Sequence, residues 1–195
     1  MELHYLIAKS KNIYLCGGSS ILPILSILKK KKTNLKKNYF LIDERIAKNV
    51  NLTNENTIRK NFSREIRLHH ITDKKTLNTR PDITFIGFGE DGHFASIFLK
   101  SKKFKNLIDI KKKSEIINTE KIGNPRLKRI TLNCSKILTS KKIIILFSNR
   151  KKMQLYLKHK MKNNINKFPI LLIEKSFKKN LYFFYKNKLN SNFVN

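Results

Sequence analysis

Three short segments carry residue types that do chemistry. The sharpest is Gly87-Phe88-Gly89-Glu90-Asp91-Gly92-His93. An imidazole, with an ordinary pKa of about 6.5, is suited to moving a proton at neutral pH. A carboxylate two residues away can orient that imidazole or act as the base itself, so Asp91 and His93 compete for the role. Gly89 and Gly92 let both side chains emerge from one tight loop. Gly87, Gly89 and Gly92 also satisfy a G-x-G-x-x-G spacing. Glu90 and Asp91 would then face a pyrophosphate, which argues against a dinucleotide fingerprint. The second segment is Gly17-Gly18-Ser19-Ser20. Two glycines and two hydroxyls at a helix start expose N–H groups and the positive end of the helix dipole, which suits an anion. The same residues also make an ordinary strand-to-helix turn. The third, Asp43-Glu44-Arg45, sets carboxylates and a guanidinium directly after an apolar run, either as a solvated loop or beside a ligand. His4, His69, His70 and His159 stand in no such context and are read as structural.

The elements that must hold these segments alternate along the chain. Asn12 to Cys16 is a buried strand, followed by a helix with Ile21, Leu22, Ile24, Leu25 and Leu28 on one face. Ser19 or Ser20 is its expected N-cap, and Pro23 falls in its first turn, where proline is tolerated. Further strands are expected at Tyr39 to Ile42, Asp82 to Phe88, Ile130 to Leu132, Lys142 to Phe147, Pro169 to Ile173 and Leu181 to Tyr185. Helices are expected from Asn54 to Leu68, capped by Thr53 or Asn54, and from about Asn149 to Met161. The alternation predicts one α/β domain with a mostly parallel sheet. Ligands bind beyond the carboxyl ends of such strands. The loops after Cys16, Ile42 and Phe88 all start there and are expected to converge.

Composition bounds the partners. The chain has 195 residues, enough for one sizeable core, and 40% of them are hydrophobic, which excludes a disordered chain. No apolar run approaches the roughly 20 residues of a membrane span. The N-terminus lacks the basic start of a secretory signal, so a cytoplasmic location is expected. Two cysteines, Cys16 and Cys134, exclude a disulfide framework and a four-cysteine zinc site. The formal net charge of +30 suggests a polyanion partner. However, Lys far outnumbers Arg and is spread over the whole length. Lys, Asn and Ile are favoured by A/T-rich codons, while phosphate and base recognition favour Arg. Compositional drift in an AT-rich genome therefore ranks above nucleic-acid binding.

The three segments together resemble the 6-phosphogluconolactonase family, relatives of glucosamine-6-phosphate deaminase. That family carries a glycine-glycine-serine-threonine turn, an aspartate-glutamate-arginine triplet, and glycine-x-glycine-glutamate-aspartate-glycine-histidine followed by alanine-serine and an apolar pair. Here these stand as Gly17–Ser20, Asp43–Arg45, and Gly87–His93 with Ala95-Ser96-Ile97-Phe98. Arg129-Ile130-Thr131-Leu132 and Lys151, opening a helix, match two weaker blocks. The resemblance implies a Rossmann-like three-layer α/β/α fold of the NagB/RpiA/CoA transferase-like type, spanning 1–195 and short at its N-terminus relative to the family. It implies hydrolysis of 6-phospho-D-glucono-1,5-lactone in the pentose phosphate pathway, with no metal and no cofactor and with a small-molecule phosphosugar lactone as partner; the sequence leaves the oligomeric state open, with a monomer slightly favoured. Gly17, Gly18, Ser19, Ser20, Arg129 and Lys151 would hold the 6-phosphate, with Arg126 as the alternative to Arg129. Asp43 and Arg45 would sit near the sugar or phosphate, and His93 and Asp91 would be catalytic. Two departures stand out: Ile21 and Leu22 separate the serines from Pro23, and Tyr182–Lys186 replaces a tryptophan-x-leucine-aspartate block. The alternatives are an inactive or repurposed homologue, a basic nucleic-acid-binding protein, and an amino-sugar-phosphate deaminase. The last follows its Asp-Gly-His with alanine-phenylalanine-asparagine-glutamate-proline, whereas this chain has Phe94-Ala95-Ser96-Ile97-Phe98-Leu99, with no glutamate to pair with the histidine.

Overall fold

The structure is a computed structural model that describes residues 3–190. In chain order the strands are β1 (Asn12–Leu15), β2 (Asn38–Leu41), β3 (Asp43–Ile46), β4 (Arg67–His69), β5 (Ile83–Gly87), β6 (Ile116–Ile122), β7 (Leu127–Leu132), β8 (Ile143–Leu146), β9 (Leu181–Tyr185) and β10 (Lys188–Asn190). The α-helices are α1 (Leu3–Ala8), α2 (Leu22–Lys29), α3 (Asn54–Asn61), α4 (Lys74–Asn78), α5 (Phe104–Ile108), α6 (Cys134–Ile137), α7 (Arg150–Met161) and α8 (Leu171–Ser176).

Seven strands form one sheet in the order β10-β9-β8-β5-β1-β2-β4. All are parallel except β10, which runs antiparallel to β9. A parallel sheet is covered on both faces, so its central strands are continuous apolar runs rather than alternating ones. Every residue of β5 and β8 is accordingly buried. β1 and β5 are neighbours, yet the chain leaves β1 toward β2 and β4 and then builds outward on the other side through β5, β8 and β9. Strand order reverses between β1 and β5. In open α/β sheets such a reversal opens a crevice at the carboxyl ends of the strands. The segments beginning at Cys16 and Phe88 leave their strands at that crevice.

The second sheet, β3-β7-β6, is antiparallel. Ile42 joins the two sheets: its N–H donates to the Leu15 carbonyl (3.1 Å) and its own carbonyl accepts from the Leu132 N–H (2.9 Å). Asp43-Glu44-Arg45 is therefore a strand and not the loop expected after Ile42. Its side chains alternate between faces, which separates Asp43 and Arg45 from Glu44.

Other expectations are corrected by tertiary context. The helix expected over Asn54–Leu68 ends at Asn61, and Arg67–His69 is β4, paired with β2. Ile58, Phe62 and Ile66 are all buried, so a helical spacing of apolar residues continued across a real break. Thr53 does cap α3, accepting from the Asn56 N–H (3.1 Å). Pro169–Ile173 is not a strand but leads into α8, where Glu174 accepts from Tyr156 Oη and Lys160 Nζ of α7, both at 2.7 Å. Ser19 and Ser20 cap nothing: they form a short 3-10 turn before α2, with no side-chain cap bond. Asn149 caps α7 through its side chain. His69 bonds Asp73 (2.8 Å) and His159 stacks on Phe168, both structural roles. Cys16 and Cys134 are free and buried. Among the described residues no helix is long and apolar enough to cross a membrane.

Candidate active site

A cavity of about 280 Å³ opens at the crevice between β1 and β5. The three chemistry-bearing segments meet in its walls: Gly17–Ser20 from the end of β1, Asp43 and Arg45 from β3, and Gly87–Gly89 with His93 from the end of β5. Arg129 of β7 and Lys152 of α7 complete a ring of cationic groups. The expected convergence of loops is observed, except that one of the three is a strand.

The Gly17–Ser20 turn is shaped for close approach. Gly18 has φ +73°, a left-handed conformation that side chains resist. The N–H groups of Gly17 and Gly18 have no partner among the described residues. Free amides just before the 3-10 turn that leads into α2 leave donors for an anion. Cys16 also lines the cavity, but burial pushes its thiol up to about 12, and its sulfur accepts from the Gly87 N–H (3.1 Å). A thiol held neutral in this way is not a nucleophile.

β3 sorts its charges by face. Glu44 is buried on the side of α3, where its carboxylate accepts from the N–H groups of Arg45 and Asn54 (both 2.6 Å) and Glu55 (2.8 Å). Glu44 thus serves the helix start, favourably to its dipole, and does not line this cavity. Asp43 is buried and accepts from Ser96 Oγ (2.8 Å). Burial pushes its carboxyl above the usual range, against the Ser96 bond and the charges of Arg129 and Arg45. Arg45 and Arg129 are directly paired across β3 and β7. Like charges set opposite each other on adjacent strands are destabilising, and an anion between them would relieve that repulsion. Arg129 is only 4% exposed. Its Nε donates to the Ile122 carbonyl (2.9 Å) and its Nη2 to Pro125 (3.1 Å), and the guanidinium lies over the Phe98 ring. Burial lowers its pKa, and Asp43 opposes that shift. Arg126, the alternative in register, is exposed and does not line the cavity.

The loop from Gly87 to His93 is built around its glycines. Gly89 lies directly beneath the His93 ring, so any side chain there would collide with it. Gly92 has φ +77° and packs against Phe168. The His93 ring stacks on Phe98 at 3.9 Å and its Nδ1 bonds Asp91 Oδ1 at 2.5 Å. Asp91 is behind the imidazole and outside the cavity wall. Partial burial raises the Asp91 pKa, but the bond and charge of His93 outweigh it and hold the carboxyl below its usual range. An ionised Asp91 accepts a hydrogen bond from Nδ1–H, which fixes the tautomer and leaves the lone pair on Nε2. The geometry therefore makes His93 the group able to accept a proton and Asp91 its orienting partner.

Lys151 is placed differently from expectation. Its Nζ pairs with Glu90 (2.6 Å) in solvent, and the side chain is 66% exposed. Lys152, one residue and about 100° further around the helix, is the lysine that faces inward. Its Nζ donates to the Phe88 carbonyl (2.6 Å) and to Ser20 Oγ (3.3 Å). Burial lowers its pKa, with Glu90 and Asp91 among the charges opposing it. Asn54, Ala95 and Asn124 also line the cavity and were not expected there. A β-hairpin tip carries Asn124, and its sequence offers only the turn signal Gly123-Asn124-Pro125.

A mostly parallel α/β sheet with a cation-lined cavity at its strand-order reversal defines the class: an open-sheet α/β protein with a cleft suited to an anion. Residues 6–182 match the family described as glucosamine-6-phosphate isomerases/6-phosphogluconolactonase, and the chain belongs to that family. It is similar to the 6-phosphogluconolactonase of Borreliella burgdorferi, with 28% identity covering 71% of this chain and 68% of that one. Solved structures share the fold. A 6-phosphogluconolactonase from Shewanella baltica superposes with a TM-score of 0.76 at 20% identity, covering 91% of this chain and 84% of that one. One from Thermotoga maritima gives 0.68 at 22% identity, covering 87% and 84%.

Proposed function

We propose that this chain is a 6-phosphogluconolactonase, a cytosolic hydrolase that opens 6-phospho-D-glucono-1,5-lactone to 6-phosphogluconate. The observation that carries the reading is one cavity with two halves: the Arg45–Arg129 pair, and a histidine whose Nδ1 is held by Asp91. The first half suits a phosphate and the second suits activation of water.

The chemistry follows from the substrate. A lactone is an activated ester, so water attacks the carbonyl carbon without a covalent enzyme intermediate. His93 Nε2 takes a proton from that water as the carbon–oxygen bond forms, and the imidazolium is stabilised by Asp91. The ring oxygen then leaves and receives that proton from the imidazolium, giving the open acid and returning His93 to its neutral form. The Gly17–Ser20 turn, Arg129 and Lys152 hold the phosphate, with Arg45 beside them. Binding energy from the phosphate, remote from the reacting carbon, fixes the sugar against His93. The test is an assay of the purified chain on the phosphorylated lactone, corrected for its spontaneous hydrolysis. A saturable acceleration is expected. A cooperatively melting protein that produces none would refute the assignment.

A further inference from the structure

The cavity is rich in donors. Arg45, Arg129, Lys152 and the free amides of Gly17 and Gly18 all donate, and they answer a phosphate. A sugar lactone also carries hydroxyl groups, and a hydroxyl proton needs an acceptor. A second carboxylate would supply one but would repel the phosphate. A neutral carbonyl supplies one without that repulsion.

Asn54 has this property. It is 1% exposed and lines the cavity from the first residue of α3. Its Nδ2 donates to the Asp43 main-chain carbonyl (2.9 Å). That carbonyl can only accept, which fixes the amide orientation and turns Oδ1 the other way. Oδ1 has no hydrogen-bond partner among the described residues. Buried polar atoms are nearly always paired, and an exception calls for an explanation. Gly17 supplies part of it. A Cβ at position 17 would lie 2.0 Å from both Cγ and Oδ1 of Asn54, so the turn has no side chain where the amide lies. The amide is thus seated against the turn that receives the anion.

We propose that Asn54 is a specificity-determining residue of this site: its Oδ1 accepts a hydrogen bond from one ring hydroxyl of the sugar. This rests on the lactonase reading and deepens it. A site that pairs a buried polar group with a substrate hydroxyl rejects the analogue lacking that hydroxyl, because the group is then left unpaired.

The experiment compares kcat/KM for the phosphorylated lactone and its 2-, 3- and 4-deoxy forms, with wild type and Asn54→Ala. In wild type, one deoxy form is expected to lose about tenfold to a hundredfold. In Asn54→Ala that penalty shrinks to within about threefold, while the other deoxy forms keep their wild-type ratios. Equal losses on all four lactones would show that Asn54 only supports the fold. If Asn54→Ala fails to fold, the wild-type ratios still decide, since no penalty on any deoxy form overturns the proposal. Asn54→Asp keeps an oxygen acceptor and should keep the penalty. A wild-type chain that hydrolyses none of the four, the parent included, fails at the lactonase reading instead and takes this proposal with it.

Discussion

Replacing Arg129 with Ala separates phosphate recognition from support of the fold. In binding, a charge-assisted contact to phosphate is worth about 1.5–3 kcal/mol, so KM for the phosphorylated lactone should rise roughly tenfold to a hundredfold. Removing one of two opposed guanidiniums returns a little: a cross-strand like-charge pair costs about 0.2–1 kcal/mol. In folding, the loss is separate. The carbonyls of Ile122 and Pro125 each lose a donor, at about 1–3 kcal/mol for a group that stays buried and unpaired. The hairpin tip that carries Asn124 loosens as a result. The assay measures KM and kcat on the phosphorylated lactone and on the unphosphorylated 1,5-lactone, alongside a thermal melt. The expected result is a KM effect confined to the phosphorylated substrate, together with a lowered Tm. Equal losses on both substrates would mean that Arg129 acts only as a strut for the hairpin. An unchanged KM would remove it from the phosphate site altogether.

Lys152→Ala should raise KM for the phosphorylated lactone about tenfold or more, whereas Lys151→Ala, which loses only a solvent-exposed pair with Glu90, should stay within about twofold; the reverse order would restore the register expected from sequence. Asp43→Asn should stabilise the fold. The folded-state pKa of Asp43 is raised by burial, so its ionised form is disfavoured in the folded state, and its contribution is best below the ordinary carboxylate pKa of about 3.9 and worsens as pH rises through the folded value. The Tm gain of Asp43→Asn over wild type should therefore be present at neutral pH and vanish in acid; a gain that grows in acid would reverse the sign assigned to Asp43.

The buried strands were legible because a parallel sheet demands continuous apolar runs: Ile13–Leu15, Phe40–Ile42, Ile83–Ile86 and Ile143–Phe147 are all in place. Their order then implied that the loops after β1 and β5 meet. β3 was misread because three charged residues in a row look like a loop. Only pairing with β7 makes them a strand, and that contact is remote in sequence. β6 has Asn, Thr, Glu and Lys between Ile117 and Ile122, so its apolar residues follow no strand alternation. Lys151 and Lys152 differ by one residue, and only the helix phase set by the Asn149 cap separates them. Asn54 was visible as a helix cap, but its place beside Gly17 depends on how α3 packs against the Gly17–Ser20 turn, which no local pattern encodes.

The most direct test of the account is the rate of phosphorylated lactone hydrolysis by His93→Ala relative to wild type, corrected for the spontaneous reaction. Loss of a positioned general base should lower kcat by about 10²–10⁴, with the fold retained because His93 leaves the sheet on a loop built from Gly89 and Gly92. A folded His93→Ala enzyme that keeps wild-type kcat would contradict the mechanism and leave the fold as the only property shared with its relatives.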